Sequence, residues 1–424
     1  MTHHDLSALV RDHVTSGEPP FPPPHGVLDR GRRRLRRRRS AAFATGGLAV
    51  TLAVAAAATL PGGSGPDPAS DGLVGPVITL DDAQPATEGV DYRVLATRER
   101  GNGNGASQRF AGITDDGLAV VVDRSDTSGE PTRIGLLDPD GDHLEWLPGG
   151  RQRVYEPMAL TEDRLVFRES HWSERRLAVR VFDRTAGTWT TLRWPALPRA
   201  QSYGGAVHDG RLYTKLYTDR GRHAMELWSV SLDDTSDVRD EGLDVDEFDI
   251  TGDELTWVGS EAAADRPVHV RDLRTGDEHV VEPPMGDDCG IVQLERVGDS
   301  LLLSQGCGPV GDETRLQVVT TAGDPVVTVR GDGAGANVAD GGRVAVISGG
   351  EGGPFVLDPA TGELWKVGAR MSWWTRGGPV PDGSPFTTWT TTTWVWEGGP
   401  GPDEPDGDDV YTDTEWLVEW LTSQ

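Results

Sequence analysis

The chain has 424 residues, 36% of them hydrophobic and 25% charged, with a formal net charge of −28. Such an excess of acid argues against nucleic acid as a partner and against anionic lipid for the bulk of the molecule. Two cysteines exclude a disulfide-dense scaffold, and ten histidines without zinc-ligand spacing exclude a zinc framework.

The charge is unevenly placed. Residues 1–40 hold nine Arg and four acids and residues 41–60 hold no charge, so residues 61–424 carry −33. Near the N-terminus Leu6, Leu9, Val10 and Val14 fall on one helical stripe, with Asp5 as its N-cap. A helix this short is marginal alone in water, so it is either frayed or docked, and Leu6, Leu9 and Val10 are the residues expected to dock on a cytoplasmic protein partner. Five prolines between residues 19 and 24 then make a stiff extended spacer.

Eight arginines lie within residues 30–39, directly before the uncharged residues 41–60, which Pro61 closes. Twenty residues at 1.5 Å each span about 30 Å, the thickness of a bilayer core. The arginines would hold the N-terminus in the cytoplasm, so residues 30–60 are expected to meet membrane lipid. A cleaved export signal is the rival reading. The layout expected is a cytoplasmic segment (1–40), a transmembrane helix (41–60), a flexible linker (61–88) and a β domain (89–424). It describes a single-pass protein of the plasma membrane with that domain outside the cytoplasm.

From residue 89 onward one phrase recurs, an acidic or Gly turn followed by an apolar β-rich run. Its anchors are Leu118, Leu165, Leu212, Leu255, Leu301, Val344 and Phe386, at intervals of 47, 47, 43, 46, 43 and 42. A second phrase follows each anchor: a β run, an Asp or Thr, a turn ending in Gly, and a return run. Physically this is a hairpin, because Asp bonds its own turn backbone and Gly supplies positive φ. Two hairpins per period make a four-stranded sheet, and a fixed period of 42–47 residues marks an all-β, seven-bladed β-propeller. Continuous apolar runs fit blades that are covered on both faces. The seventh period lacks a strand, which residues 90–98 would supply as the outer strand of the last blade. Six complete blades and a tail are the alternative.

Within the fifth period Cys289 and Cys307 lie symmetrically about the turn Gly298–Asp299 and are expected to form a cross-strand disulfide. Seven of the fourteen Trp lie between Met371 and Leu421, where even spacings such as Trp416 and Trp420 predict core packing in the closing blade. Adjacent Trp373 and Trp374, near Arg376, can instead offer a stacking surface for a ligand, with core packing the plainer reading. Aligning the periods places Arg109, Glu156, Tyr203, Asp246, Glu247 and Trp374 where inner strands begin, at the channel mouth. Asp138, Asp140 and Asp142 resemble half a calcium loop without its closing ligand, and a plain turn explains them better. No metal or cofactor is therefore expected.

The periodic part resembles the WD-repeat-like and TolB-like propeller superfamilies, without the Trp-Asp signature, the kelch glycines or the sialidase box that FDRTAGTW only approximates. The whole layout resembles actinobacterial single-pass membrane proteins with a propeller ectodomain. Some of those are associated with extracytoplasmic-function sigma factors, which implies a regulatory role. The function expected is a non-enzymatic binding or sensing module. An exported hydrolase or lyase acting on carbohydrate and an envelope assembly scaffold are the alternatives. No nucleophile elbow or other catalytic motif assigns a catalytic residue.

Overall fold

A computed structural model describes residues 75–421 except 102–106, 125–131, 139–142, 151, 155, 170–174, 219–224, 260–265, 286–288, 309–312, 332–333, 335–337, 341, 350–352, 368–378 and 396–409. The helical stripe, the arginine run and the apolar segment 41–60 lie outside these residues. Among the described residues no helix is long and apolar enough to cross a membrane.

Seven sheets follow one another along the chain, and each of the first six is built in sequence order from two hairpins. The first strands of blades I to VI are Ser107–Ile113, Pro157–Leu160, Gln201–His208, Glu247–Thr251, Cys289–Val297 and Val338–Asp340. First strands touch in succession from blade I to blade VI, and the first described strand of blade VII touches that of blade I, so they form the inner wall of a ring. In blade VII Phe386–Val395 pairs with Val410–Trp420, whose other edge pairs with Tyr92–Gly101. The closure expected of residues 90–98 is thus met. Trp373, Trp374 and Arg376 precede Phe386, in a stretch outside the described residues.

Seven hydrophobic clusters lie among the described residues, one between each neighbouring pair of blades. This explains the unbroken apolar runs. In the strand Ala119–Arg124, Ala119 and Val121 pack toward blade VII while Val120 and Val122 pack toward blade II. Each strand alternates its side chains between two cores, so both sets must be apolar.

The outer hairpins follow the second phrase. Asp272 Oδ1 accepts the amides of Arg274 and Thr275, and the amide of Gly276, at φ 77°, closes back on Asp272 O. Asp183 and Asp358 build the same turn in blades II and VI.

One part of the fold departs from expectation. Within the stretch read as linker, Val77–Thr79 runs parallel to Pro325–Arg330 on the outside of blade V, and Gln84–Pro85 runs parallel to Leu364–Lys366 on blade VI. Between them Leu80 enters the core shared by blades V and VI. The segment then continues into the outer strand of blade VII, so residues 77–101 strap three consecutive blades. Composition concealed this because strands of two or three residues carry no periodicity.

Candidate functional site

Inner strands have two ends, and the predicted channel-mouth residues that are described lie toward the end where the strands begin. Glu156 and Asp246 immediately precede the inner strands of blades II and IV, Glu247 opens the latter, and Tyr203 lies in the inner strand of blade III. Two buried cations organise this end. Arg168, in the second strand of blade II, donates Nη1 to Ser202 O (3.0 Å) and Nη2 to Gly204 O (3.2 Å) on the next inner strand. Its Nη2 also pairs with Glu156 Oε1 at 2.9 Å. At the equivalent place in blade III, Lys215 Nζ donates to Asp246 O (2.6 Å) and to Glu247 Oε2 (3.0 Å). Asp246 Oδ2 in turn accepts from Arg266 Nη1 at 2.6 Å.

The structure therefore brings Glu156 and the backbone flanking Tyr203 into one latch, and Asp246 and Glu247 into a second, across blades II, III and IV. The Tyr203 hydroxyl donates to Gln201. Burial pulls the Arg168 guanidinium below its ordinary value, with Glu156 opposing. Arg109 is half-buried on the inner strand of blade I, opposite Val122, and belongs to neither latch.

Cys289 and Cys307 are bonded and lie directly opposite across the first hairpin of blade V. The hairpin turns at Gly298 and Asp299, with Val297 opposite Ser300. That turn alone would leave the cysteines one residue out of step. A bulge between Ile291 and Gln293 absorbs the extra residue, Val292, and restores the pairing.

The opposite end, where the hairpins from first to second strand turn, holds a cleft that the sequence did not single out. It has a volume of about 520 Å³ and is lined by the turns of blades IV and V together with Arg274 and Asp382. Its wall is acidic: Asp253, Glu254, Asp272, Asp299 and Asp382 face it, against Arg274 and Arg296. Arg296 is the buried member, its side chain 6% exposed. Its Nη2 pairs with Glu254 at 2.7 Å and its Nε donates to Gly298 O at 2.9 Å. Its Nη1 is buried and has no hydrogen-bond partner among the described residues. Asp382 Oδ1 accepts the Gly298 amide at 2.9 Å, which joins the turns of blades V and VII.

Behind the cleft, Asp249 on the inner strand of blade IV accepts the amides of Ile250 (2.7 Å) and Arg296 (3.0 Å). It is partly exposed but surrounded by protein. That enclosure pushes its carboxyl above the ordinary aspartate range.

Most of the acids at this end derive from the anchor phrase, and in three blades that acid is a tie. Asp116 takes both terminal nitrogens of Arg184 from blade II, at 2.7 and 2.8 Å. Asp163 meets Arg164, and Asp253 meets Arg274 at 2.8 Å. Asp299 occupies the same turn position in blade V, and among the described residues it meets no cation. The recurrence is legible in sequence. Which copy lacks its arginine is not, because Arg184 and Arg274 come from other hairpins.

Among the described residues no three His, Cys, Asp or Glu side chains converge as a metal ion needs. No family model matches the chain, and no curated protein is significantly similar to it. Solved structures match in fold. An oligogalacturonate lyase in complex with manganese is 12% identical, with 80% of this chain and 98% of that one covered and a TM-score of 0.49. The N-terminal domain of Nup159 is 12% identical over 82% of this chain and 100% of that one, TM-score 0.46. A puromycin-hydrolyzing peptidase of Mycobacterium tuberculosis is 15% identical over 68% of this chain, TM-score 0.46, and this chain spans only 49% of its length. At these identities the likeness concerns the propeller alone.

Proposed function

We propose that the chain is a single-pass membrane protein whose propeller stands outside the cytoplasm as a binding or sensing module. In this reading residues 30–60 meet membrane lipid. The stripe of Leu6, Leu9 and Val10 docks a cytoplasmic protein partner and so couples the module to regulation. The observation that carries the binding role is the contrast between the two channel ends. At one end the carboxylates Glu156 and Glu247 are paired with buried cations that reach across to the next blade, while at the other a solvent-facing cleft holds Asp299 and Asp382, which meet no cation among the described residues. The disulfide Cys289–Cys307 supports an oxidising compartment.

Two measurements test this. Because both native cysteines are bonded, Ser16→Cys and Thr422→Cys each add one free thiol. A membrane-impermeant maleimide applied to intact cells should label the second and spare the first, and the reverse pattern refutes the topology. A thermal-shift screen of the full chain should then yield ligands whose shift is lost in Asp382→Asn. Ligands whose shifts all survive that change would exclude the cleft.

A further inference from the structure

We infer that the strap, residues 77–101, is a coupling device: docking of Leu80 and seating of the ring-closing strand Tyr92–Gly101 form one cooperative unit. Under the single-pass reading proposed above, on which this rests, the strap is what joins the ring to its membrane anchor. The segment belongs to three successive cores. Ile78, Leu80 and Ala83 pack between blades V and VI, Ala86 and Tyr92 between VI and VII, and Leu95 and Ala96 between VII and I. Side chains of one continuous segment seat in or leave such cores together unless slack separates them. Little slack is present. The Ala86 amide donates to Lys366 O at 2.9 Å, and the residues after it form a closed turn. In that turn Thr87 O accepts the amides of Val90 (3.1 Å) and Asp91 (2.9 Å), and Asp91 Oδ2 accepts the Thr87 amide (2.7 Å). The Gly89 amide, at φ 82°, donates to Tyr92 O at 2.7 Å.

The two ends of the strap differ in what the ring can lose. Blades V and VI keep four strands of their own without it, as blades I to IV do, so Leu80 can undock without unfolding them. Blade VII has no such reserve among the described residues, because Tyr92–Gly101 is its outer strand. The socket is also shaped for a side chain from elsewhere. The linker after blade IV packs its own Met285 against the neighbouring core, whereas the linker after blade V contributes the smaller Ala334 and clears space for Leu80 at Gly331. A pull on the chain at Gly75 therefore frees Leu80 first and loosens blade VII next. By linkage, whatever tightens the ring holds the strap down.

Amide exchange of the full chain in detergent tests the coupling. Leu80→Asp should speed exchange about tenfold at 94–97 and 416–420 as well as at 77–79, and leave Glu254–Val258 of blade IV unchanged. Inserting Gly-Ser-Gly-Ser between Glu88 and Gly89 supplies slack. With the insertion present, Leu80→Asp should still free 77–79 but leave 94–97 and 416–420 at the rates seen with the insertion alone. If Leu80→Asp speeds 77–79 and nothing in blade VII, the strap is an independent flap and the coupling falls. If the insertion leaves the effect on 416–420 intact, the change travels through the blades rather than along the strap, and the inference falls as well. Parental protection at 77–79 in Leu80→Asp would overturn the docking itself. None of these rates depends on which side of a membrane the ring lies. The maleimide pattern can therefore refute the anchor while the coupling stands, and the reverse.

Discussion

Arg168 and Glu156 form one ion pair whose two members contribute unequally. Arg168 is buried and holds two backbone carbonyls of the next blade, whereas the Glu156 side chain is 51% exposed and is solvated without its partner. Arg168→Met keeps the apolar stem but takes the charged donor from Ser202 O and from Gly204 O, the latter keeping the Thr214 hydroxyl, and should lower stability by about 3 kcal/mol. Glu156→Gln should cost less than about 1 kcal/mol. Denaturant midpoints of the two variants check the ordering, and equal losses would contradict it. Asp249 gives a prediction in pH. Enclosure raises its carboxyl pKa, Asp382 adds to the rise, and Arg296 opposes it. An acid raised in the fold holds its proton more tightly folded than unfolded. Between the unfolded and folded values stability therefore falls as pH rises. Asp249→Asn removes the titration, so its melting temperature should vary less with pH just above the ordinary aspartate range. A slope equal to that of the parent would refute the assignment.

At the scale of elements, the hairpin of blade V and the N-terminal strap are fixed by different means. The hairpin carries buried Leu301, Leu302 and Leu303 as well as its disulfide, so apolar burial alone specifies its pairing. Cys289→Ser with Cys307→Ser should therefore lower stability by about 3 kcal/mol, since the bond closes a loop of 18 residues, while far-ultraviolet circular dichroism stays native. Loss of the native spectrum would show that the bond specifies the hairpin. Residues 77–85 of the strap have two short parallel pairings and one fully buried anchor, Leu80. Gly331 makes room for that anchor, since a Cβ at Gly331 would lie 3.1 Å from Leu80 Cγ. Leu80→Asp should release residues 77–85, seen as faster amide exchange at 77–79 and new proteolytic cleavage there. Unchanged protection would mean that the edge pairings suffice. These two elements also mark what sequence can reveal. The hairpins were legible because several blades repeat the same turn chemistry, with Asp183, Asp272 and Asp358 each bonding their own turn backbone. The strap was not, because Val77, Ile78 and Leu80 make one short apolar run that no repeat assigns to a blade. The cleft was hidden for a third reason: Asp299 looks like Asp116 and Asp253 until the arginines of distant hairpins are placed.

For the whole molecule, closure of the ring is the decisive contact. Six blades are continuous in sequence, and the seventh exists only because Tyr92–Gly101 meets Val410–Trp420. The join is aromatic as well as hydrogen-bonded. Tyr92 lies opposite Trp420 in register and stacks on it with ring centroids 6.1 Å apart, while Trp389 meets Tyr92 edge-on at 6.0 Å. The amide of Leu421 then donates to Asp91 O at 2.8 Å. Trp389 and Trp420 are each 3% exposed, so the predicted core role of the closing tryptophans holds at these two positions. Each blade is covered by its two neighbours, so one missing outer strand weakens blade VII and through it the cores shared with blades VI and I. Removing residues 92–101 opens the edge of Val410–Trp420, which invites pairing between chains. The truncated protein should lose cooperative thermal unfolding and associate at micromolar concentration. A synthetic peptide of sequence 92–101 added in excess should restore the transition by pairing with that edge, and the same peptide with Tyr92→Ala should restore less of it. If the truncated chain melts like the parent without added peptide, the ring does not depend on this strand, and its blades stand as a self-supporting array.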